Sequence, residues 1–365
     1  MLQPFDCLSP LWMQLYTRRV KSNSTLLVFN FAMDPNDPLL SHQYEAVLAL
    51  ANEFKSITVI TGREGNVPLI PNIRIITSDW KPGKRLRNLF KLFVKAVPVI
   101  IRGDFKSVFF HMTDLQCAFL SPIIWLRRRR QFLWYAHTFK SRYLVCASWW
   151  VTGVVTSTVG SCPLVGRKVM PIGQAIDPVL FKPVAFSKLD FDKLVHIGRF
   201  DKSKNIDVLI SSAGELKNSF PGLNLKIVGS PANPESSAWA RDLIDKNWDK
   251  VESGWLSFKE SIPRNQFPEE MARNGCFFHG YIGSLDKTLI ESTMLRVPVI
   301  TTNPEYTYIF GTWAKSTHPN LASEYRALRS HSPDEISLEL DRRLDLAILH
   351  HSLQNWIEQL TKILR

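Results

Sequence analysis

Cysteine is scarce: Cys7, Cys117, Cys146, Cys162 and Cys276 stand far apart, odd in number and with no Cys-x-x-Cys spacing. Such a set supports neither a disulfide framework nor a zinc site, and it fits a reducing cytoplasm. No leader is expected either. Asp6 comes early, polar residues follow by Gln14, and no clean apolar run leads to a small-residue cleavage site, so the chain is expected to stay where it is made. Residues 143–166 carry no charge over a length that would cross a bilayer, but Ser, Thr, Gly and Pro163 interrupt them; they read as a buried helix end and a core strand. Low-complexity segments and short-period repeats are absent. Acid is in deficit: 33 Asp and Glu against 45 Lys and Arg leave a formal charge of +12. That balance favours an anionic partner such as a phosphate-rich ligand or anionic lipid, whereas nucleic acid has only the charge in its favour, with no recognisable binding module.

What is present is a winding order of strands and helices. With 365 residues the chain has room for two domains, each with its own core. Thr25-Leu-Leu-Val-Phe-Asn-Phe31 reads as a fully buried strand, followed by a turn-forming loop at 34–38, a helix over 39–54 and a strand over 57–61. Strand, helix, strand is the unit of a doubly wound parallel sheet. It continues through strands at 73–77, 107–112, 131–135, 151–156 and 168–172, with helical stretches at 84–97 and 115–130. A polar, proline-marked linker is expected over 183–193. Beyond it come strands near 194–197, 225–228, 255–258 and 276–279, helices over 206–216, 234–245 and 265–273, and a terminal helical tract over 333–364. The expected fold class is α/β, with two Rossmann-like domains over residues 1–184 and 185–345, and a helix over 346–365 packing back toward the N-terminal domain.

The densest chemistry lies in residues 283–302. A glycine turn leads into a short helix over 286–296 and a β-branched strand over 297–302. Backbone amides near Ser284 and Leu285 would then point outward from a helix N-terminus, which favours anions, phosphate above all. Glu291, about one turn past Asp286 and Lys287, is placed to accept hydrogen bonds from the two vicinal hydroxyls of a ribose; a helix with an exposed Glu and a solvated Asp-Lys pair is the plainer reading.

Three motifs together resemble the retaining group 1 (family 4) glycosyltransferases of the GT-B fold, in which two Rossmann-like domains face a cleft. Ile197-Gly198-Arg199 followed by Lys204 and Asn205 resembles the loop whose Arg and Lys bind the donor diphosphate in that family. Pro171-Ile-Gly173, with Asp177 and Phe181-Lys-Pro183, is similar to its interdomain signature, and residues 283–302 resemble its C-terminal Glu-x7-Glu segment. The resemblance implies transfer of a sugar from a nucleotide-sugar donor to a saccharide or lipid-linked acceptor, with the acceptor in the N-terminal domain and the donor in the C-terminal one. It implies Arg199 and Lys204 as the charges that meet the departing diphosphate, and Gly198, Gly283, Ser284, Leu285, Asp286, Lys287 and Glu291 as donor contacts. No cofactor and no metal are expected, the nucleotide sugar being a co-substrate; Asp190-Phe-Asp192 reads as a solvated strand entrance. Two departures stand out. Gly283 occupies the position of the family's first Glu, and Ala32-Met33-Asp34 replaces the glycine pair that usually follows the first strand.

In the N-terminal half His137, in Trp134-Tyr135-Ala-His137, holds the position where the family often carries a His near the reacting sugar. His111 and His42 are weaker acceptor-side choices. No carboxylate is placed to act as a nucleophile, so the resemblance implies a front-face displacement assisted by the leaving phosphate, with Glu291 a clamp on the nucleotide. The basic tracts 127–130 and 81–95 are interleaved with apolar residues. They suit either a solvated face or the inner surface of an anionic membrane, where a cytoplasmic, peripheral enzyme would meet a lipid-linked acceptor. A non-catalytic homologue that binds a sugar nucleotide or acts as a scaffold is the rival reading, made plausible by Gly283.

Overall fold

The computed structural model describes residues 23–37, 40–316 and 319–365. The N-terminal stretch read above for a leader, and Pro38 and Leu39 at the first loop and helix, lie outside the described residues. The chain divides into two compact units, one made of the residues up to Ala175 together with Gln354–Arg365, the other of Ile176–Leu353.

The first unit is built on seven parallel strands: β1 (Thr25–Met33), β2 (Ser56–Glu64), β3 (Ile73–Thr77), β4 (Ser107–His111), β5 (Arg130–Trp134), β6 (Gly153–Thr156) and β7 (Val169–Pro171), in the order 3-2-1-4-5-6-7. Between them run α1 (Ser41–Ala51), α2 (Arg85–Arg102), α3 (Asp114–Leu126) and α4 (Arg142–Trp150). The central strands read as near-continuous apolar runs because a parallel sheet covered by helices is buried on both faces. Phe29 of β1 and Phe110 of β4 are partners across the sheet and stack with centroids 4.7 Å apart. Leu92 and Ala96 of α2, Cys117 and Leu120 of α3, and Leu144 and Ala147 of α4 all pack into the core that holds them. Fully burying a side chain the size of Phe or Leu contributes about 1.5–3 kcal/mol.

The second unit has five parallel strands: β8 (Lys193–Ile197), β9 (Asn224–Val228), β10 (Leu256–Lys259), β11 (Cys276–His279) and β12 (Val299–Thr301), in the order 10-9-8-11-12. Its helices are α5 (Ile206–Lys217), α6 (Pro234–Lys246), α7 (Trp248–Glu252), α8 (Phe267–Ala272), α9 (Lys287–Met294), α10 (Pro304–Phe310), α11 (Leu321–Ser330) and α12 (Pro333–His351). Two apolar clusters line the two faces of this sheet, one around Leu209, Leu225 and Phe278, the other around Val195, Phe277 and Ile290. The last helix, α13 (Leu353–Leu364), belongs to the first unit.

Three features differ from the sequence-based expectation. The tract over 183–193 is no free linker: Val184 donates its N–H to the Leu295 carbonyl at 2.8 Å, and Leu189 and Phe191 pack against the second unit's core. The terminal helical tract is broken at Ser352, whose extended backbone bridges Ile176; Ile176 N–H donates to the His351 carbonyl and Leu353 N–H to the Ile176 carbonyl. Helix α2 runs through Pro98 to Arg102, because Ile100 beyond the proline is fully buried and that burial outweighs the lost ladder bond.

Several histidines of the second unit are sealed from water. Burial pushes His196 and His351 down to about 3, and burial also lowers His279, against the opposing pull of Asp286. An unfolded histidine titrates near 6.5, so below that pH the unfolded chain takes up protons that the native state refuses, and stability falls as pH falls. Denaturant unfolding of the second unit should lose roughly 1 kcal/mol per pH unit for each of His196 and His351 between about pH 6.5 and about pH 5, with His279 acting in the same direction. A flat profile over that window would contradict the neutral, buried state of these side chains.

Candidate functional site

The order of strands in the second sheet reverses between β8 and β11, and open parallel sheets hold ligands beyond the carboxyl ends of the strands at such a switch. The loop after β8 begins at Gly198, whose N–H donates to the Val228 carbonyl at 3.0 Å. A Cβ at Gly229 would fall 1.8 Å from the Gly198 oxygen, so the close passage of the two loops requires glycine there. Asp201 then tightens the turn, accepting from the Ser203 N–H at 2.9 Å and hydroxyl at 2.6 Å. Asn205 adopts left-handed backbone (φ 51°) and donates its side-chain amide to the Gly280 carbonyl at 2.8 Å. That bond joins the loop after β8 to the loop after β11. Gly280 is held to glycine by the same approach, since a Cβ would sit 2.7 Å from the Lys204 carbonyl.

Within this junction Lys204 and Asp286 form a close ion pair, with side chains only 10% and 22% exposed. The ammonium also lies 4.3 Å from the centroid of the Tyr281 ring. Asp286 occupies the N-cap position of α9 but makes no capping bond; its carboxylate turns to Lys204 and, at 3.4 Å, to His279 Nε2. Burial opposes ionisation of Asp286, yet the Lys204 charge and the His279 contact hold it well below the usual carboxylate range. His279 Nδ1 meets the Thr301 hydroxyl at 3.1 Å, and Thr301 Oγ1 in turn accepts the Asn303 N–H at 3.1 Å. A carboxylate can only accept, so a neutral His279 faces Asp286 with Nε2–H, and Nδ1 is then the acceptor of the Thr301 hydroxyl. Arg199 is different: it is exposed, and no ion pair holds it among the described residues.

The turn over 281–286 is shaped from below by Asn303. Its buried side-chain amide donates to the carbonyls of Tyr281, Gly283 and Ser284 at 3.0, 3.2 and 3.3 Å, while its carbonyl caps α10 through the Tyr306 N–H. Ser284 gives its N–H to the Tyr281 phenol oxygen at 3.3 Å, and the Leu285 side chain is buried in the core. A Cβ at Gly283 would lie 2.1 Å from that phenol oxygen. Tyr281 thus fills the space into which a longer side chain at position 283 would grow. Glu291, buried on α9, pairs with Arg264 at 2.8 Å, and the Arg264 guanidinium rests 5.5 Å from the Phe181 ring. Lys287, at the first position of α9, is half-buried. Asp190 and Asp192 each have a cation, Lys193 at 3.2 Å and Arg329.

Of the residues singled out in the sequence, the second unit therefore brings Lys204, Asp286 and the turn over 283–285 together around one junction. His279, Tyr281, Arg264 and Asn303 are the residues that the sequence pattern did not mark. The three histidines singled out, His42, His111 and His137, all lie in the first unit. His42 and His111 meet edge to face at 5.8 Å, with His111 6.2 Å from Trp356 of α13, while His137 lies in the exposed loop after β5 and accepts the Phe139 N–H at 2.9 Å. The first unit's own switch point, between β1 and β4, is filled from inside. There buried Gln43 takes the N–H groups of Phe31 and Ala32 at 2.9 and 3.1 Å.

Residues 181–308, which contain the junction, match the family model described as glycosyl transferases group 1. No curated protein matches the sequence. Among solved structures the chain is similar to HepE of Anabaena in complex with UDP-glucose, at 14% identity and TM-score 0.70, covering 94% of this chain and 99% of that one. It is similar to sucrose-phosphate synthase of Thermosynechococcus elongatus at 14% identity and TM-score 0.70, with 93% and 98% covered, and to a glycosyltransferase of Rickettsia africae at 10% and 0.68, with 94% and 98% covered. At these identities the likeness is one of fold. The chain has the GT-B fold, and over residues 181–308 its second unit is similar to the group 1 glycosyl transferases.

Proposed function

We propose that the protein is a metal-independent, retaining hexosyltransferase that moves a sugar from a nucleotide-sugar donor to a saccharide or lipid-linked acceptor in cell-surface polysaccharide or glycolipid synthesis. The observation that carries this reading is the junction of the loops after β8 and β11, where an exposed arginine, a fixed lysine and a helix-borne carboxylate gather around one strand switch. The UDP-glucose complex of HepE, on the same fold, supports a nucleotide-sugar donor. In the reaction the bond from the anomeric carbon to the diphosphate oxygen breaks as the acceptor oxygen bonds to the same face. The acceptor proton passes to a phosphate oxygen of the leaving group, and positioning with charge stabilisation supplies the catalysis.

Arg199 and Lys204 contribute differently. Lys204 is half of a pair that carries no net charge, so it offers fixed N–H donors; Arg199 brings an unpaired charge that strengthens its hold as negative charge develops on the diphosphate. Ser284 and Leu285 stand at the turn where the diphosphate and sugar would lie, with Gly198 opposite. Glu291 holds the ribose hydroxyls, and Arg264 orients its carboxylate. His137, with His42 and His111 as weaker choices, serves the acceptor side. The enzyme works in the cytoplasm, at the inner face of the membrane.

The rival reading, a sugar-nucleotide-binding or scaffold protein without turnover, is favoured by one observation: Tyr281 stands where the family's first glutamate would project from Gly283. Release of nucleoside diphosphate from a panel of sugar nucleotides, each with and without acceptors, separates the two. Acceptor-dependent release supports transfer, and tight donor binding with no release under any pairing supports the scaffold. Gly283→Glu must displace the Tyr281 ring, and it should change which donor sugar is preferred; an unchanged preference would mean that the turn faces away from the sugar.

Arg199→Ala should leave stability unchanged while costing about 2–4 kcal/mol in transition-state stabilisation, seen in kcat/KM. Lys204→Met should also unfold more easily, because it strands a buried carboxylate, a loss of about 3–5 kcal/mol in comparable pairs. Lys204→Met with Asp286→Asn should recover stability and not turnover. Wild-type turnover in Arg199→Ala would remove the diphosphate assignment. Glu291→Ala and Arg264→Met should both raise the donor KM with kcat little changed, since a ribose clamp acts alike on ground and transition states. A fall in kcat at constant KM in either variant would contradict that role.

A further inference from the structure

Helix α2 carries three parallel rows of side chains at four-residue spacing. Asn88, Leu92, Ala96 and Ile100 form the buried seam, and Arg87, Lys91 and Lys95 form a basic row. Leu86, Phe90 and Val94 form the third, at 84%, 69% and 53% exposure. At about 100° per residue the third row lies two steps, roughly 200°, from the seam, directly opposite the core. A helix on the surface of a soluble domain places polar residues there. The apolar surface continues sideways: Phe93 meets Phe119 of α3 at 6.4 Å, and Phe119 meets Tyr143 of α4 at 6.3 Å. At the ends of α3 and α4, Trp125 (56% exposed) packs edge to face on Trp150 at 5.7 Å, and Trp149 is 73% exposed. All three helices insert into one core on one side of the first sheet, so these side chains share its outer surface.

The charge on this surface is predominantly positive. Helix α2 holds Arg85, Arg87, Lys91, Lys95 and Arg102 and no acidic residue, and the exposed Arg127 and Arg128 follow α3, whereas Arg130 reaches the Ile363 carbonyl of α13 at 2.8 Å. The guanidinium groups of Arg85 and Arg142 lie 5.2 and 5.1 Å from the Tyr143 ring centroid. Local acids are few: Asp79 binds Lys91 at 2.6 Å, Asp104 approaches Arg129 at 3.6 Å, and Asp114 is hydrogen-bonded to Ser141.

We infer that the outer surface of α2, α3 and α4 docks on an anionic lipid bilayer, with Leu86, Phe90, Val94, Trp125 and Trp149 entering the interface and the basic row meeting the headgroups. Exposed apolar rows beside lysine and arginine, with tryptophan at the margin, are what such an interface accommodates. A second copy of the chain is the poorer occupant, because a two-fold contact through this face would set basic row against basic row. What the docking serves rests on the proposed transfer to a lipid-linked acceptor; the docking itself does not.

The test is co-sedimentation of the full chain with phosphatidylcholine vesicles, with and without phosphatidylglycerol, at low and high salt. Binding should require the anionic lipid. It should weaken roughly tenfold in the four-fold variant that replaces Arg87, Lys95, Arg127 and Arg128 with Gln, and at least as much in Phe90→Glu with Val94→Glu, which keeps the basic row. UDP binding to the second unit should survive in both variants and serves as the control for folding. The inference is overturned if the wild-type chain ignores anionic vesicles at low salt, if Phe90→Glu with Val94→Glu binds them as well as wild type, or if sedimentation shows a dimer that the same pair dissolves. Vesicle binding without any sugar-nucleotide turnover would leave the docking intact and remove the proposed function instead.

Discussion

A lysine and an aspartate held mostly out of water, Lys204 and Asp286, set the terms for the end of the second sheet. Removing two charges from water is costly, and their attraction offsets that cost only when the geometry is close and the remaining polar atoms are bonded. The surroundings meet that condition. Tyr281 lies under the ammonium, a neutral His279 donates toward the carboxylate, and the other ring nitrogen of His279 meets the Thr301 hydroxyl. Because the two charges come from loops 82 positions apart, the pair also specifies which loops meet, and the Asn205 bond to Gly280 repeats that instruction in neutral form.

The two sheets make the same kind of switch and treat it differently. In the first, Gln43 caps the free amides at the end of β1, so the place where a dinucleotide fold would seat phosphate is already bonded. In the second, glycines at 198, 229 and 280 let the backbones pass closely, and Arg199 is left facing water. The proposed division of labour, donor in the second unit and acceptor in the first, follows from that contrast. The outer face of the first unit, apolar opposite its own core, adds a second specialisation.

Much of the fold was legible because strands buried on both faces read as apolar runs whatever follows them; the two Rossmann-like sheets follow from β1 through β12. Short helices were not. Helices α7 and α10 span only 5 and 7 residues, too few for a helical period to show, and α11 depends on its capping box of Asn320 and Ser323. The break at Ser352 depends on a bridge to Ile176 that no local pattern announces. At the site, Arg199 and Lys204 stood out by resemblance to a family motif, and Asp286 by its place at the start of the helical stretch after the glycine turn. Tyr281, Arg264 and Asn303 act through partners 19 to 27 positions away or through ring faces, and only the fold reveals them. The linker over 183–193 misled because proline and polar residues mark a tight packed turn as readily as a free one.

Hydrogen–deuterium exchange with and without uridine diphosphate tests the central claim most directly, because it reads the site without requiring the acceptor. The account predicts slower exchange over residues 198–205 and 281–292, with the first-unit segment 31–43 unchanged. Protection confined to the first unit, or none at saturating nucleotide, would contradict a donor site at the β8 and β11 junction.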